Sequence, residues 1–308
     1  LHQLLIFFHV LCLKPTFYIV PSLVELIGNT PLVEVKSPNP NVKIFGKLEG
    51  NNPGGSVKDR AALNMIRSAM ERGEIKEGSQ LIEATSGNTG IALAMLASQY
   101  RLPIELVMPE NSTRERVVTM EAFGAKVTLL DSIEACRDYA DEKGKQEGYF
   151  QFNQFANPDN YLAHYKSTGP EIWRDTEGKI THFVASMGTT GTIMGTSMYL
   201  KEQNKEVQIV GCQPTENSSI PGIRRWPVEY LPKIFDPKRV DRVIDVSQKD
   251  AENKAVALAR EEGIFVGVSS GGQAHVAYEL AKELDSGLIV FICCDRGDRY
   301  LSSGLFGL

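Results

Sequence analysis

Short apolar runs alternate with segments of helical period along most of the chain. Residues 42–48, 81–84, 104–108, 126–130, 182–185, 207–212, 243–246, 265–268 and 288–293 have strand length and little polar interruption. Between them, apolar positions recurring every three to four residues predict helices from Ser56 to about Arg72, and over 89–99, 113–123, 132–145, 192–203, 250–262 and 271–284. Such alternation predicts an α/β protein with mostly parallel sheets, and strands without a polar face predict sheets covered on both sides. The helix over 91–97 is apolar all round and should be deeply buried. From Gln213 to Lys238 the pattern fails, and Pro214, Pro221, Pro227, Pro232 and Pro237 punctuate a long irregular loop. A loop of that length inside a compact domain is usually functional.

Composition narrows the class. The chain has 308 residues, enough for two ordinary domains with a large core. A net charge of −5 argues against a basic face for nucleic acid or an anionic membrane. Cys12, Cys136, Cys212, Cys293 and Cys294 form no C-x-x-C pair, and the five histidines are scattered. No zinc spacing and no disulfide framework is visible; the free thiols suit a reducing cytosol. The apolar run 1–13 is too short to span a bilayer, which takes about 20 residues. It also lacks the basic start and small-residue end of a signal peptide. Residues 1–21 read as an apolar N-terminal extension.

Four stretches carry chemistry. In Lys47-Leu48-Glu49-Gly50-Asn51-Asn52-Pro53-Gly54-Gly55-Ser56-Val57-Lys58-Asp59-Arg60 a strand turns into a helix, with Ser56 as the expected N-cap and Asp59 completing an acidic capping box. Lys58 then falls in the first helical turn, where the helix dipole disfavours a cation. It either reaches water or is buried, and a buried lysine loses its charge readily and becomes a nucleophilic amine. Three further strand-to-helix turns are rich in hydroxyls and glycine: 85–90, 188–192 and 267–272. Free N–H groups at the start of each helix make anion sites, at the carboxyl edge where α/β sheets bind ligands. None fits the dinucleotide fingerprint or the P-loop. A small phosphate-bearing cofactor beside a lysine is the reading these stretches share. In the long loop, Arg224-Arg225 forms either a solvated corner or a cationic rim for an anionic substrate.

At these residues, together with Ile27-Gly28-Asn29-Thr30-Pro31-Leu32-Val33, Thr168-Gly169-Pro170-Glu171-Ile172-Trp173 and Cys294-Asp295-Arg296-Gly297-Asp298-Arg299, the chain resembles the fold-type II pyridoxal-phosphate enzymes. Within them it is similar to the O-acetylserine sulfhydrylases of B type. The resemblance runs from about Leu23 onward and implies a tryptophan-synthase-β-like architecture: two three-layer αβα domains with mostly parallel twisted sheets. Residues 52–157 would form a smaller mobile domain. Residues 22–51 plus 158–308 would form a larger one that holds the cofactor's phosphate. By matching position, Lys58 carries pyridoxal 5′-phosphate as a Schiff base and Asn88 faces its 3′-oxygen. Gly188, Thr189, Thr190, Gly191 and Thr192 hold the phosphate, and Ser269 meets the ring nitrogen. Thr85, Ser86, Thr89 and Gln154 hold the substrate carboxylate, and Arg224 and Arg225 sit on the substrate side. The implied activity is conversion of O-acetylserine plus sulfide or thiosulfate to cysteine or S-sulfocysteine, in a cytoplasmic homodimer. Other β-replacing or β-eliminating enzymes of the fold, and an idle homologue that binds a peptide in the cleft, are the alternatives.

Overall fold

The computed structural model describes residues 22–85 and 87–307; the 1–21 extension and Ser86 lie outside the described residues. The strands are β1 (Leu32–Val35), β2 (Val42–Leu48), β3 (Gln80–Ala84), β4 (Ile104–Pro109), β5 (Lys126–Leu130), β6 (Tyr149–Gln151), β7 (His182–Ser186), β8 (Gln208–Pro214), β9 (Arg242–Val246) and β10 (Gly287–Cys293). The helices are α1 (Lys58–Glu71), α2 (Asn88–Tyr100), α3 (Arg114–Ala122), α4 (Ile133–Gly144), α5 (Pro158–Lys166), α6 (Thr168–Asp175), α7 (Gly191–Gln203), α8 (Gln248–Glu262) and α9 (Val268–Glu283).

Two sheets result. One has four parallel strands in the order β5-β4-β3-β6. The other has six in the order β1-β2-β10-β7-β8-β9, parallel except for the antiparallel β1. Both are covered on two faces, which is why their strands are apolar throughout. On the small sheet, Leu81 and Leu106 pack with α1 and α2, while Ile82, Ala84 and Val107 pack with α4. On the large sheet, Ile44, Val210, Ile289 and Phe291 face α8 and α9, and Phe183, Ile209, Val290 and Ile292 face α6 and α7. Each such fully buried side chain contributes about 1.5–3 kcal/mol. The apolar stretch of α2 is buried from Thr89 to Ala97, as its unbroken hydrophobicity requires.

Some local expectations fail for identifiable reasons. Residues 265–268 are not a strand. Val266 makes a single bridge to Arg296, and α9 begins at Val268 because the chain turns into the site there. Ser56 does not cap α1; Val57 is the cap residue, and the Ser56 hydroxyl accepts only from the Lys58 N–H at 3.2 Å. Asp59 turns back instead to accept from the Gly54 N–H, so no capping box forms. Strands β1 and β6 and helices α5 and α6 carry too few residues of clear period to be read from sequence. The segment from 215 to 241 is irregular, broken by short 3-10 turns at Val228–Tyr230 and Pro237–Arg239.

Candidate active site

The parallel strands β2, β7, β8 and β10 all end on one edge of the large sheet, and β3 ends opposite them on the small sheet. A cleft of about 850 Å³, open mouth included, lies there. That is within the range of small-molecule sites. Its lining includes Lys58, Asn88, Thr89, Gln154, Gly188, Thr189, Thr190, Thr192, Arg224 and Ser269. Of the residues singled out in sequence, Thr85, Gly191 and Arg225 do not line it.

Lys58 opens α1. The residues before it are tied to the end of β10, by the Val57 N–H donating to the Cys294 carbonyl at 2.8 Å and by a bridge between Ser56 and Asp295. Burial holds the Lys58 amine below its usual pKa, against the pull of Cys294, Asp295 and Glu49. Behind it, buried ion pairs fix the helix. The Arg60 guanidinium grips Glu49 at 2.7 and 2.8 Å and Glu171 at 2.7 Å through two nitrogens. Lys47 joins Glu171 at 2.8 Å, and the Thr30 hydroxyl and Asn52 amide donate to Glu49. Burial opposes the charge on Glu49, but Arg60 outweighs it and the carboxyl stays below its ordinary pKa. Glu171 falls to about 2 by the same balance.

The turn from β3 into α2 is built for close packing. The Thr85 hydroxyl, fully buried, accepts from the N–H groups of Gly87 and Gly90 at 3.0 Å each and braces the turn from within. Gly87 has φ +141°, a backbone conformation that side chains rarely adopt, and a Cβ there would lie 2.5 Å from Arg116 Cδ. The Thr89 hydroxyl donates to Gln154 Oε1 at 2.7 Å, while the Gln154 amide donates to the Ala84 carbonyl at 2.7 Å. Asn88 donates to Asp295 Oδ2 at 2.7 Å and accepts from Arg299 at 2.5 Å. Tyr300 donates to the same Asp295 oxygen at 2.7 Å.

The turn from β7 into α7 fits a phosphate group. Thr190 caps the helix in the left-handed region, φ 68°, which points successive N–H groups outward. Its hydroxyl is buried without a hydrogen-bond partner, an orphan that a phosphate oxygen would satisfy. A Cβ on Gly188 would meet the Gly222 carbonyl at 2.4 Å, so the long loop seats directly on this turn. Trp226 reinforces the contact, donating to the Gly188 carbonyl at 2.7 Å. Gly191 serves packing, with Asn160 where its side chain would be. His164, pushed down to about 3 by burial and so neutral, bridges the Thr168 hydroxyl at 2.9 Å and the Thr192 hydroxyl at 3.3 Å.

The two loop arginines part company. Arg224 points into the cleft, donates to the Ile223 carbonyl at 3.1 Å, and has its pKa lowered by burial. Arg225 turns outward to Asp245 and the Pro214 carbonyl. Sequence reasoning missed Arg116. It lies on α3, 6% exposed, lines the cleft, and stacks over Tyr300 at 5.0 Å. In sequence it is one arginine in a polar helix, with nothing to set it apart. Among the described residues no helix is long and apolar enough to cross a membrane, and no His, Cys, Asp or Glu cluster could hold a metal.

Comparison with known proteins agrees with this geometry. Residues 23–295 match the family model described as pyridoxal-phosphate dependent enzyme. The chain is 57% identical to cysteine synthase B of Pseudomonas aeruginosa over 93% of this chain and 97% of that one. It is 56% identical to cysteine synthase B of Escherichia coli over 93% and 96%. Among solved structures, an O-ureido-L-serine synthase superposes with a TM-score of 0.89 at 33% identity, covering 94% of this chain and 96% of that one. A cysteine synthase of Entamoeba histolytica gives 0.88 at 33%, covering 100% and 95%. A half-buried lysine between two helix N-termini, one with an orphaned hydroxyl of the kind a phosphate needs, is thus found where the matched sequence runs almost end to end, and the chain belongs to the pyridoxal-phosphate dependent enzymes, in the company of cysteine synthase B.

Proposed function

We propose that the chain is an O-acetylserine sulfhydrylase of B type. It replaces the acetoxy group of O-acetylserine by sulfur, from sulfide or thiosulfate, and releases cysteine or S-sulfocysteine and acetate, a step of cysteine biosynthesis. The observation that carries this is the Lys58 amine, held below its ordinary pKa in a cleft between two sheets and two helix N-termini.

Pyridoxal 5′-phosphate, when bound, withdraws electrons from the amino acid, acidifies its α-proton and weakens the bond to the β-oxygen. The chain's own residues do the rest. Gly188 to Thr192 at the start of α7 would hold the phosphate, and Thr190 would give it a hydroxyl that has no partner among the described residues. Lys58 anchors the cofactor and, once released by the incoming substrate, takes the α-proton as a neutral base and later returns it. Asn88 would face the ring's 3′-oxygen. Ser269 would face the ring nitrogen, and a hydroxyl there, in place of a carboxylate, would leave that nitrogen largely uncharged and favour prompt loss of a β-substituent. The Asn88 and Thr89 N–H groups at the start of α2 hold the substrate carboxylate; Thr85, the Thr89 hydroxyl and Gln154 fix the shape of the turn. Ile133, Phe155, Trp226 and Ile292 keep water from the reacting carbon. The unit 52–157 acts as a smaller domain that closes on residues 22–51 and 158–308 when the carboxylate binds. Arg224 faces the sulfur donor, and the molecule works as a cytoplasmic homodimer.

Hydride trapping followed by peptide mass spectrometry is expected to place the cofactor on Lys58. Lys58→Ala is expected to lower turnover of O-acetylserine with sulfide by at least about a thousandfold, the combined worth of an acid–base group and a covalent anchor. An adduct on another residue, or an alanine variant within tenfold of the parent, refutes the assignment.

A further inference from the structure

We propose that Arg116 is the charged partner of the amino acid's carboxylate, completing the anion site at the start of α2. The inference rests on the functional reading above and adds a residue to it. Arg116 is 6% exposed, its Nε is buried without a hydrogen-bond partner, and it forms no ion pair among the described residues. Its neighbour Glu115 is engaged elsewhere, accepting from the Ser302 hydroxyl at 2.7 Å and the Ser302 N–H at 3.0 Å. The guanidinium lies against Gly87, the cap residue of α2, with Cδ, Nε and Cζ at 2.5, 2.8 and 3.3 Å from where a Cβ would stand.

This arrangement is unfavourable as it stands. An α-helix carries about half a positive charge at its N-terminus, and a cation there is repelled. Arg224 adds a second guanidinium facing the same cleft, close enough for the two to oppose each other's charge. A buried, unpaired cation costs several kcal/mol unless something neutralises it. Tyr300 contributes only a cation–π contact, and its hydroxyl is committed to Asp295. One carboxylate between Arg116 and the α2 N–H groups removes both penalties. The Tyr300 ring holds the guanidinium in place beforehand, so that binding the acid orders nothing new. Arg116 therefore selects for a free α-carboxylate, and an amide or ester of the same amino acid should bind poorly.

The test is calorimetric binding of L-serine and L-serinamide to the holoenzyme, wild type and Arg116→Gln, with the cofactor's absorbance as the check that the site is intact. The variant is expected to lose about ten- to hundredfold in affinity for serine, the worth of one charge-assisted hydrogen bond, and less than twofold for serinamide. In steady state the KM for O-acetylserine should rise by a similar factor while the KM for sulfide holds. Equal losses for acid and amide, no loss for either, or a loss confined to thiosulfate would each overturn the proposal. Should the glutamine variant fail to fold, Arg116→Lys carries the same test, with a smaller loss for serine and none for serinamide; equal losses again refute it. A wild-type protein that did not turn over O-acetylserine, yet preferred serine to serinamide through Arg116, would sink the functional reading and leave this inference standing.

Discussion

Two groups of buried or half-buried charge lie on either side of the first turn of α1, and they obey opposite rules. Behind Lys58, Lys47, Glu49, Arg60 and Glu171 satisfy one another: every arm of the Arg60 fork reaches a carboxylate, and both carboxyls sit below their ordinary pKa. In front of it, Lys58, Arg116 and Arg224 face a cleft without any carboxylate in its lining. The first group needs nothing more and fixes the position of α1. The second is left short of negative charge, as a site for anionic ligands would be. Structural and binding electrostatics are thus distinguished here by satisfaction rather than by burial, since members of both groups are buried.

The sharpest way to break the contrast is to unbalance the satisfied side. Arg60→Met leaves Glu49 without its ion-pair partner and Glu171 with Lys47 alone, and a broken buried pair costs about 3–5 kcal/mol. Urea denaturation should show a loss of that size; a loss under 1 kcal/mol would mean the network is not what fixes α1. On the unsatisfied side, Arg224→Ala should remove charge that only a ligand uses. It is expected to raise the KM for thiosulfate about tenfold, the worth of one charged hydrogen bond, and that for sulfide less than twofold. Equal changes would refute a donor-selecting role.

Glu83 tests the rule from the acidic side. It is fully buried on β3, neither carboxyl oxygen has a partner among the described residues, and burial pushes its pKa up from 4.5 to about 8. The backbone N–H groups of Gln154, Asn153 and Ala84 lie near, but none meets it in a full hydrogen bond. A raised pKa means the folded state binds the proton more tightly, so the stabilisation is complete below about pH 4.5 and is lost as pH rises to about 8. Against Glu83→Gln, the wild type should lose up to about 1.4 kcal/mol of relative stability per pH unit across that window, and nothing further above it. A flat difference would mean that the carboxyl is solvated. The smallest effect is expected from Arg225→Ala. Its ion pair with Asp245 is exposed and outside the cleft, so stability and the KM for thiosulfate should each stay within about twofold.

The sequence made the long-range order of the site legible through short-range signals. Helix-opening turns at 85–90 and 188–192 stand out because hydroxyls and glycines follow apolar strands, and both meet in the cleft. Lys58 stands out because a cation opens a helix. What was not legible depended on partners far along the chain. Thr85 reads as a ligand residue, but it is fully buried outside the cleft lining, its hydroxyl oxygen accepting from the Gly87 and Gly90 N–H groups. Arg225 reads like Arg224, yet Asp245 takes it outward. Arg116 becomes notable only when Tyr300 and Gly87 are brought to it. Asp59 has the spacing of a capping box, and only the fold of residues 52–55 decides that it turns back to Gly54. Strand β6 has three half-buried residues, too few for any period to emerge.

The order of strands in the large sheet also constrains how the chain is made. Strand β10, the last of the described strands in chain order, lies between β2 and β7, so the hairpin of β1 and β2 waits through more than two hundred residues of synthesis for its other neighbour. The small sheet, contained within residues 80–151, has all its strands long before that. A half-made chain can therefore own a finished small sheet while the sheet that carries the 188–192 turn is still split in two.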